Sequence, residues 1–83
     1  VHSLRRGRSR IGETAVVIGV GGIGAFLVHA LVGTGLRVVV SDLDAARRAV
    51  ATRLGAELVI DPAATPVAEA VRDAGLDPAV VFE

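Results

Sequence analysis

One run of eleven residues, VVIGVGGIGAF (Val16–Phe26), constrains the fold of this chain more than any other. The run has no charged residue and contains four glycines. Residues 15–33 have the length of a membrane span, but each glycine weakens a helix by about 1 kcal/mol. The β-branched residues come first and residues at helical spacing follow. This order predicts a buried strand, a glycine turn and a helix.

The same alternation of strand and helix recurs along the chain. The apolar stretches RVVVSD, ELVID and AVVF predict three further strands, and Gly55 and Gly75 are placed to end the helices between them. Asp44 and Thr65 are predicted N-caps. The pattern favours an α/β fold with a doubly wound parallel sheet of strand order 3-2-1-4, truncated after the fourth strand. In the first predicted helix, we expect one stripe to face the core: Ile23, Phe26, Leu27, Ala30 and Leu31.

Composition narrows the possible function classes. The chain has no cysteine or methionine, so it contains no disulfide framework or thiolate metal site, which suits a cytoplasmic protein. Four of the nine basic residues fall within the first ten positions, but all are arginines with no aromatic residue beside them. We therefore expect no nucleic-acid partner, and the glycines of residues 15–33 likewise lead us to expect no membrane partner. His2 and His29 have no acid or nucleophile placed beside them, so we assign no catalytic residue and no metal ligand.

The glycine turn has the spacing G-x-G-x-x-G at Gly19, Gly21 and Gly24. After a strand and before a helix, this spacing is typical of a dinucleotide-binding turn. The first glycine permits the tight turn, the second lets the backbone approach a pyrophosphate, and the third allows close packing of helix and strand. Unpaired backbone N–H groups at the helix start can bind the anion. The predicted cofactor-binding residues of the turn are Gly19, Val20, Gly21, Gly22, Ile23 and Gly24.

An acidic residue is predicted to complete the site. Asp42 ends the second predicted strand, 18 positions after Gly24, close to the roughly 20 positions typical of such motifs. Its carboxylate can accept hydrogen bonds from the adenosine ribose and repel a 2′-phosphate, which favours NAD over NADP. Arg47 can flank that ribose or pair with a 2′-phosphate. An exposed helix face remains an alternative for both Arg47 and Arg48.

Together these stretches resemble the coenzyme domain of the medium-chain dehydrogenase/reductase superfamily, which includes the zinc-type alcohol and polyol dehydrogenases. The resemblance implies a partial Rossmann fold, with residues 13–83 as the first half of a dinucleotide-binding domain. Residues 1–12 would be the end of the helix and the linker from a missing catalytic domain. It further implies an NAD-dependent oxidoreductase that transfers a hydride to or from an alcohol or carbonyl substrate. Zinc, the catalytic residues and homo-oligomer contacts would belong to the full-length protein.

Two other functions remain open from the residues. An NAD-sensing regulatory domain of a transport protein would use the same turn without catalysis. A methyltransferase would hold an adenosyl cofactor that lacks a pyrophosphate, although a complete G-x-G-x-x-G is less expected there.

Overall fold

The structure is a computed structural model that describes residues 3–5, 13–19 and 22–83. From Thr14 onward, strands and helices alternate along these residues, as the sequence predicts. In chain order the elements are β1 (Ser3–Arg5), β2 (Thr14–Ile18), α1 (Gly22–Gly33), β3 (Arg37–Ser41), α2 (Ala45–Arg53), β4 (Leu58–Ile60), α3 (Val67–Asp73) and β5 (Pro78–Phe82).

The strands form one sheet in the order β1-β5-β2-β3-β4. Strands β5, β2, β3 and β4 pair in parallel, which confirms the predicted order 3-2-1-4 for the four strands foreseen. The fifth strand was not predicted. Ser3–Arg5 pairs antiparallel with β5, where the sequence indicated a helix end or linker. Extended pairing satisfies backbone groups on the outer edge of β5. The assignment of residues 1–12 to a missing domain stays a prediction.

Apolar side chains cover both faces of the parallel strands, which explains why β2 and β3 are apolar without alternation. One face packs against α1 and α2 through the buried residues Val17, Val28, Val38, Val40 and Ala51. The other face packs against α3 through Val16, Val39, Ile60 and Val71. The helices packed on both faces of the sheet therefore fix the positions of the strand ends.

The predicted stripe of α1 is partly wrong. Leu27 and Leu31 pack against the core, but Phe26 is 75% exposed and Ala30 is exposed. Val28 is fully buried instead. Because α1 carries apolar residues on every side, sequence spacing alone does not identify the side that meets the sheet.

The helix ends follow the predicted chemistry with one small shift. The Asp44 carboxylate caps α2 by accepting the N–H groups of Ala46 and Arg47, as predicted. The predicted N-cap at Thr65 is wrong, because the cap position of α3 is Pro66, which makes no side-chain hydrogen bond to the helix. Gly55 and Gly75 have positive φ and close α2 and α3. Within the described ranges, no helix combines the length and apolar character needed to cross a membrane.

Candidate functional site

The chain leaves β2 through Gly19, which has a φ of +79°. Residues with a Cβ rarely adopt this conformation, so the turn requires glycine. The Gly19 N–H donates to the Ser41 carbonyl oxygen at 2.8 Å, which ties the end of β2 to the end of β3. Among the described residues beyond its chain neighbours, none lies within 4 Å of the position that a Cβ on Gly19 would take. The need for glycine here is therefore conformational and does not come from crowding.

Helix α1 begins at Gly22, three residues after Gly19. Its first-turn N–H groups have no acceptors within the helix, and the helix dipole makes this end partly positive. No acidic side chain occupies the first turn. Gly24 lies buried in that turn. The start of α1 can therefore receive an anion.

Asp42 follows β3 directly and is only 6% exposed. Its Oδ1 accepts the Asp44 N–H at 2.8 Å, and its own N–H donates to the Ile60 carbonyl oxygen at 3.1 Å. These bonds fix both the backbone and the carboxylate of Asp42. A carboxylate held in this way is ready to accept hydrogen bonds from a ligand hydroxyl group without first being ordered.

The two adjacent arginines of α2 differ in environment. Arg47 is exposed and lines the cleft described below. The Arg48 side chain is 22% exposed, and its Nη1 donates to the Asp42 carbonyl oxygen at 2.8 Å. The same Nη1 lies 3.9 Å from Asp61 Oδ1. Arg48 therefore connects the loops that follow β3 and β4, and the exposed-face alternative does not describe it.

Three of the eight predicted residues line one cleft of about 370 Å³ at the carboxyl ends of the parallel strands, and Gly24 is not among its described lining residues. Its lining includes Gly19, Asp42 and Arg47. Val20 and Gly21 lie outside the described residues. In open α/β sheets, ligands bind beyond the carboxyl ends of the strands, and this volume falls within the range of small-molecule sites. A groove of about 530 Å³ beside α3 has a mainly apolar lining, and no motif glycine is among its described lining residues.

Two further residues of this region, Ser41 and Arg48, were not predicted from the sequence. Ser41 is 1% exposed and lines the cleft, and its Oγ has no hydrogen-bond partner among the described residues. It is the only residue without an apolar side chain among the last four of β3, and this was a usable signal. Arg48 was not distinguished from Arg47, because only the fold shows which of the two turns toward Asp42. The fixed carboxylate of Asp42 and the glycine turn together fit a polar ligand such as a dinucleotide.

Comparison with known proteins finds dehydrogenases that are similar to most of this chain. An alcohol dehydrogenase of Rhizobium meliloti is 36% identical over 80 residues, which are 94% of this chain and 24% of that protein. A (R,R)-butanediol dehydrogenase of Neisseria gonorrhoeae is 33% identical over 72 residues, 86% of this chain and 20% of that protein. Among solved structures, a short chain alcohol dehydrogenase of E. coli CFT073 complexed with cofactor NADH is 32% identical with a TM-score of 0.72.

The matches cover only a part of each relative. The E. coli match covers 81% of this chain and 20% of that chain. No protein-family model matches the chain. The chain thus spans about a quarter or less of the length of these dehydrogenases.

Proposed function

We propose that this chain, which belongs to the medium-chain dehydrogenase/reductase superfamily, supplies the cofactor-binding part of an NAD-dependent oxidoreductase. The observation that carries the proposal is the cleft in which Gly19, Asp42 and Arg47 meet at the strand ends. The dehydrogenase relatives favour this function over an NAD-sensing domain or a methyltransferase. The substrate would be an alcohol or a carbonyl compound.

The pyrophosphate would bind at the glycine turn. The positive φ of Gly19 directs the chain out of β2 toward the start of α1, where first-turn N–H groups lack helical partners. Backbone donors and the helix dipole suffice to hold a diphosphate without a charged side chain. This role is proposed for Gly19, Val20, Gly21, Gly22, Ile23 and Gly24.

The adenosine ribose would bind at Asp42. Its carboxylate is held by the Asp44 N–H and can accept the ribose hydroxyl groups. The same negative charge would repel a 2′-phosphate, so NAD is favoured over NADP. Arg47 lines the same cleft and would lie along the ribose. Arg47 adds positive charge near the ribose, but Asp42 is the more firmly fixed of the two side chains.

When bound, the nicotinamide would accept or donate the hydride. This chain would bind and orient the adenosine and diphosphate, and the groups that handle the substrate would lie elsewhere in the full-length protein. Any zinc ion and homo-oligomer contacts are likewise proposed for the full-length protein. A cytoplasmic location stays a prediction from composition.

The proposal is tested by the cofactor preference of Asp42 variants of the full-length protein. In Asp42→Ala, we expect the dissociation constant for NADH to rise about tenfold or more, because hydrogen bonds to a charged group are lost. The constant for NADPH should change less or fall, because the repulsion is removed. Calorimetric titration with both cofactors measures the two effects.

Asp42→Asn is the matched control, because the amide oxygen can still accept the Asp44 N–H while the charge is gone. It should relax the preference between NADH and NADPH with little effect on folding. Equal losses for both cofactors would contradict the ribose role. Binding of S-adenosylmethionine in place of NADH by the unaltered protein would favour a methyltransferase.

A further inference from the structure

Two adjacent arginines of α2 lie close to the end of β3, but only Arg47 is among the described residues that line the cleft. The Arg48 side chain is 22% exposed, and its Nη1 faces two oxygen atoms of the protein. It donates to the Asp42 carbonyl oxygen at 2.8 Å and lies 3.9 Å from Asp61 Oδ1. A second positive charge is therefore held directly beside Asp42, the residue proposed to select NAD.

Asp61 makes two kinds of contact in the loop that follows β4. Its Oδ1 accepts the Ala63 N–H at 3.0 Å, and its carbonyl oxygen accepts the N–H groups of Ala64 and Thr65, each at 3.0 Å. These bonds require oxygen atoms but no charge, so an asparagine would satisfy them as well. The contact with Arg48 is different, because an ion pair requires the carboxylate. The loop alone therefore leaves the charge of Asp61 without a role.

The position of Arg48 gives that charge a role in cofactor choice. An arginine has a long side chain, and its planar guanidinium group pairs readily with a phosphate. If Arg48 lost its contact with Asp61, the guanidinium group would start its movement from the backbone of Asp42. The carboxylate of Asp42 is the group proposed to repel a 2′-phosphate. A released Arg48 would therefore counteract that repulsion.

We infer that Asp61 restrains Arg48 and thereby helps the cleft to discriminate against a 2′-phosphate. Asp61 is a positioning residue in this role, because it acts through Arg48 and does not touch the cofactor. The role rests on the proposed function, since it concerns the choice of the same cofactor. It divides that choice between two carboxylates, with Asp42 acting on the ribose and Asp61 on the neighbouring arginine.

The test is the ratio of the dissociation constants for NADPH and NADH, measured by calorimetric titration of the full-length protein. Asp61→Asn keeps an oxygen for the Ala63 N–H but removes the charge. The ratio should fall about threefold in favour of NADPH, because Arg48 loses its anionic partner. Asp61→Glu keeps the charge but not the short turn, so the ratio should stay within about twofold of the original even where the melting temperature falls.

A purely structural role of Asp61 would give the reverse pattern. The Glu variant would then lose its preference for NADH together with its stability, and the Asn variant would behave like the unaltered protein. That outcome would overturn the inference.

A second background tests whether Arg48 carries the effect. In a protein that already has Arg48→Met, adding Asp61→Asn should change the ratio by less than about 1.5-fold, because no guanidinium group is left to release. If the ratio still falls about threefold, the Asp61 charge acts directly on the phosphate and the inference is wrong.

Asp73→Asn is the matched control for the loss of one negative charge. Asp73 forms an exposed ion pair with Arg72 on α3, with 4.0 Å between Arg72 Nε and Asp73 Oδ1. This variant should leave the ratio unchanged. An equal shift in Asp73→Asn and Asp61→Asn would show that only the net charge of the protein matters, and the inference would be wrong.

The proposed function and this inference fail in distinguishable ways. If the unaltered protein prefers NADH and Asp61→Asn keeps that preference in full, only the role of Asp61 is wrong. If the unaltered protein binds neither NADH nor NADPH, the proposed function itself is wrong and the inference falls with it.

Discussion

The carboxyl ends of β2 and β3 lie side by side, but they offer different atoms to the cleft. The end of β2 is formed by Gly19, which contributes backbone alone in a positive-φ conformation. The end of β3 contributes the side chain of Asp42, whose carboxylate accepts the Asp44 N–H. A site made of backbone depends on conformation, whereas a site made of side chains depends on chemical identity. Substitutions at the two strand ends should therefore affect stability and cofactor binding in different ways.

The largest effect is expected at the backbone end. Gly19→Val should lower the free energy of unfolding by about 2 kcal/mol, because a β-branched residue is strained at positive φ. NADH binding should weaken more than tenfold as the turn shifts, by roughly the same free energy. Thermal unfolding and calorimetric titration of the full-length protein measure the two effects.

Gly33→Val is the matched control for this substitution. A Cβ at Gly33 would also meet no atom within 4 Å in the described part of the chain, but Gly33 does not have a positive φ. The control should change stability by less than about 0.5 kcal/mol, since valine and glycine differ little in helix propensity. A similar loss of stability from both substitutions would show that the positive φ of Gly19 is not the reason why the turn requires glycine.

A smaller effect is expected where a side chain supports the other strand end. Arg48 Nη1 donates to the Asp42 carbonyl oxygen at 2.8 Å, so Arg48→Met should lower the free energy of unfolding by about 1.5 kcal/mol. NADH binding should weaken a few-fold, because Asp42 loses its support. Arg53→Met on the same helix is exposed and should cost about 0.5 kcal/mol or less. If both variants lose the same free energy of unfolding, the Arg48 contact does not stabilise the loop that follows β3.

The same contrast explains what could be predicted from the sequence. The glycine spacing and the apolar runs predicted the parallel strand order and the meeting of Gly19 with Asp42, because local geometry and strand direction determine both. The predicted core-facing side of α1 was wrong at Phe26, which is exposed. A helix with apolar residues on every side gives no sequence signal for the side that packs against the sheet. The pairing of Ser3–Arg5 with β5 depends on a contact between distant parts of the chain, which spacing does not encode.

The hardest feature to predict was which side chains near the strand ends stabilise the fold and which are free to contact a ligand. Arg47 and Arg48 are identical neighbours, and only the path of α2 decides that Arg48 reaches the Asp42 carbonyl oxygen. Ser41 ends an apolar strand, and its isolation becomes visible only when Ile18 and Ile60 are found on either side. Sequence therefore indicates which residue types are present at a strand end, and tertiary structure indicates what each one touches.

The smallest effect tests whether folding and binding roles at the end of β3 are separable. The Asp44 carboxylate caps α2 at 2.8 Å from the Ala46 nitrogen, while the Asp44 N–H separately supports Asp42. Asp44→Ala should therefore lower the free energy of unfolding by about 1 kcal/mol through loss of the cap. NADH affinity should change less than about twofold, because the backbone N–H that holds Asp42 remains.

Asp44→Ser is the control that keeps a capping oxygen, and it should restore most of the lost stability. Thermal unfolding reports the cap, and NADH titration reports Asp42 independently. If Asp44→Ala weakened NADH as strongly as Asp42→Ala, the Asp44 carboxylate itself would contact the cofactor. Asp44 would then not act only as a helix cap, and the carboxylates of both Asp42 and Asp44 would take part in cofactor binding.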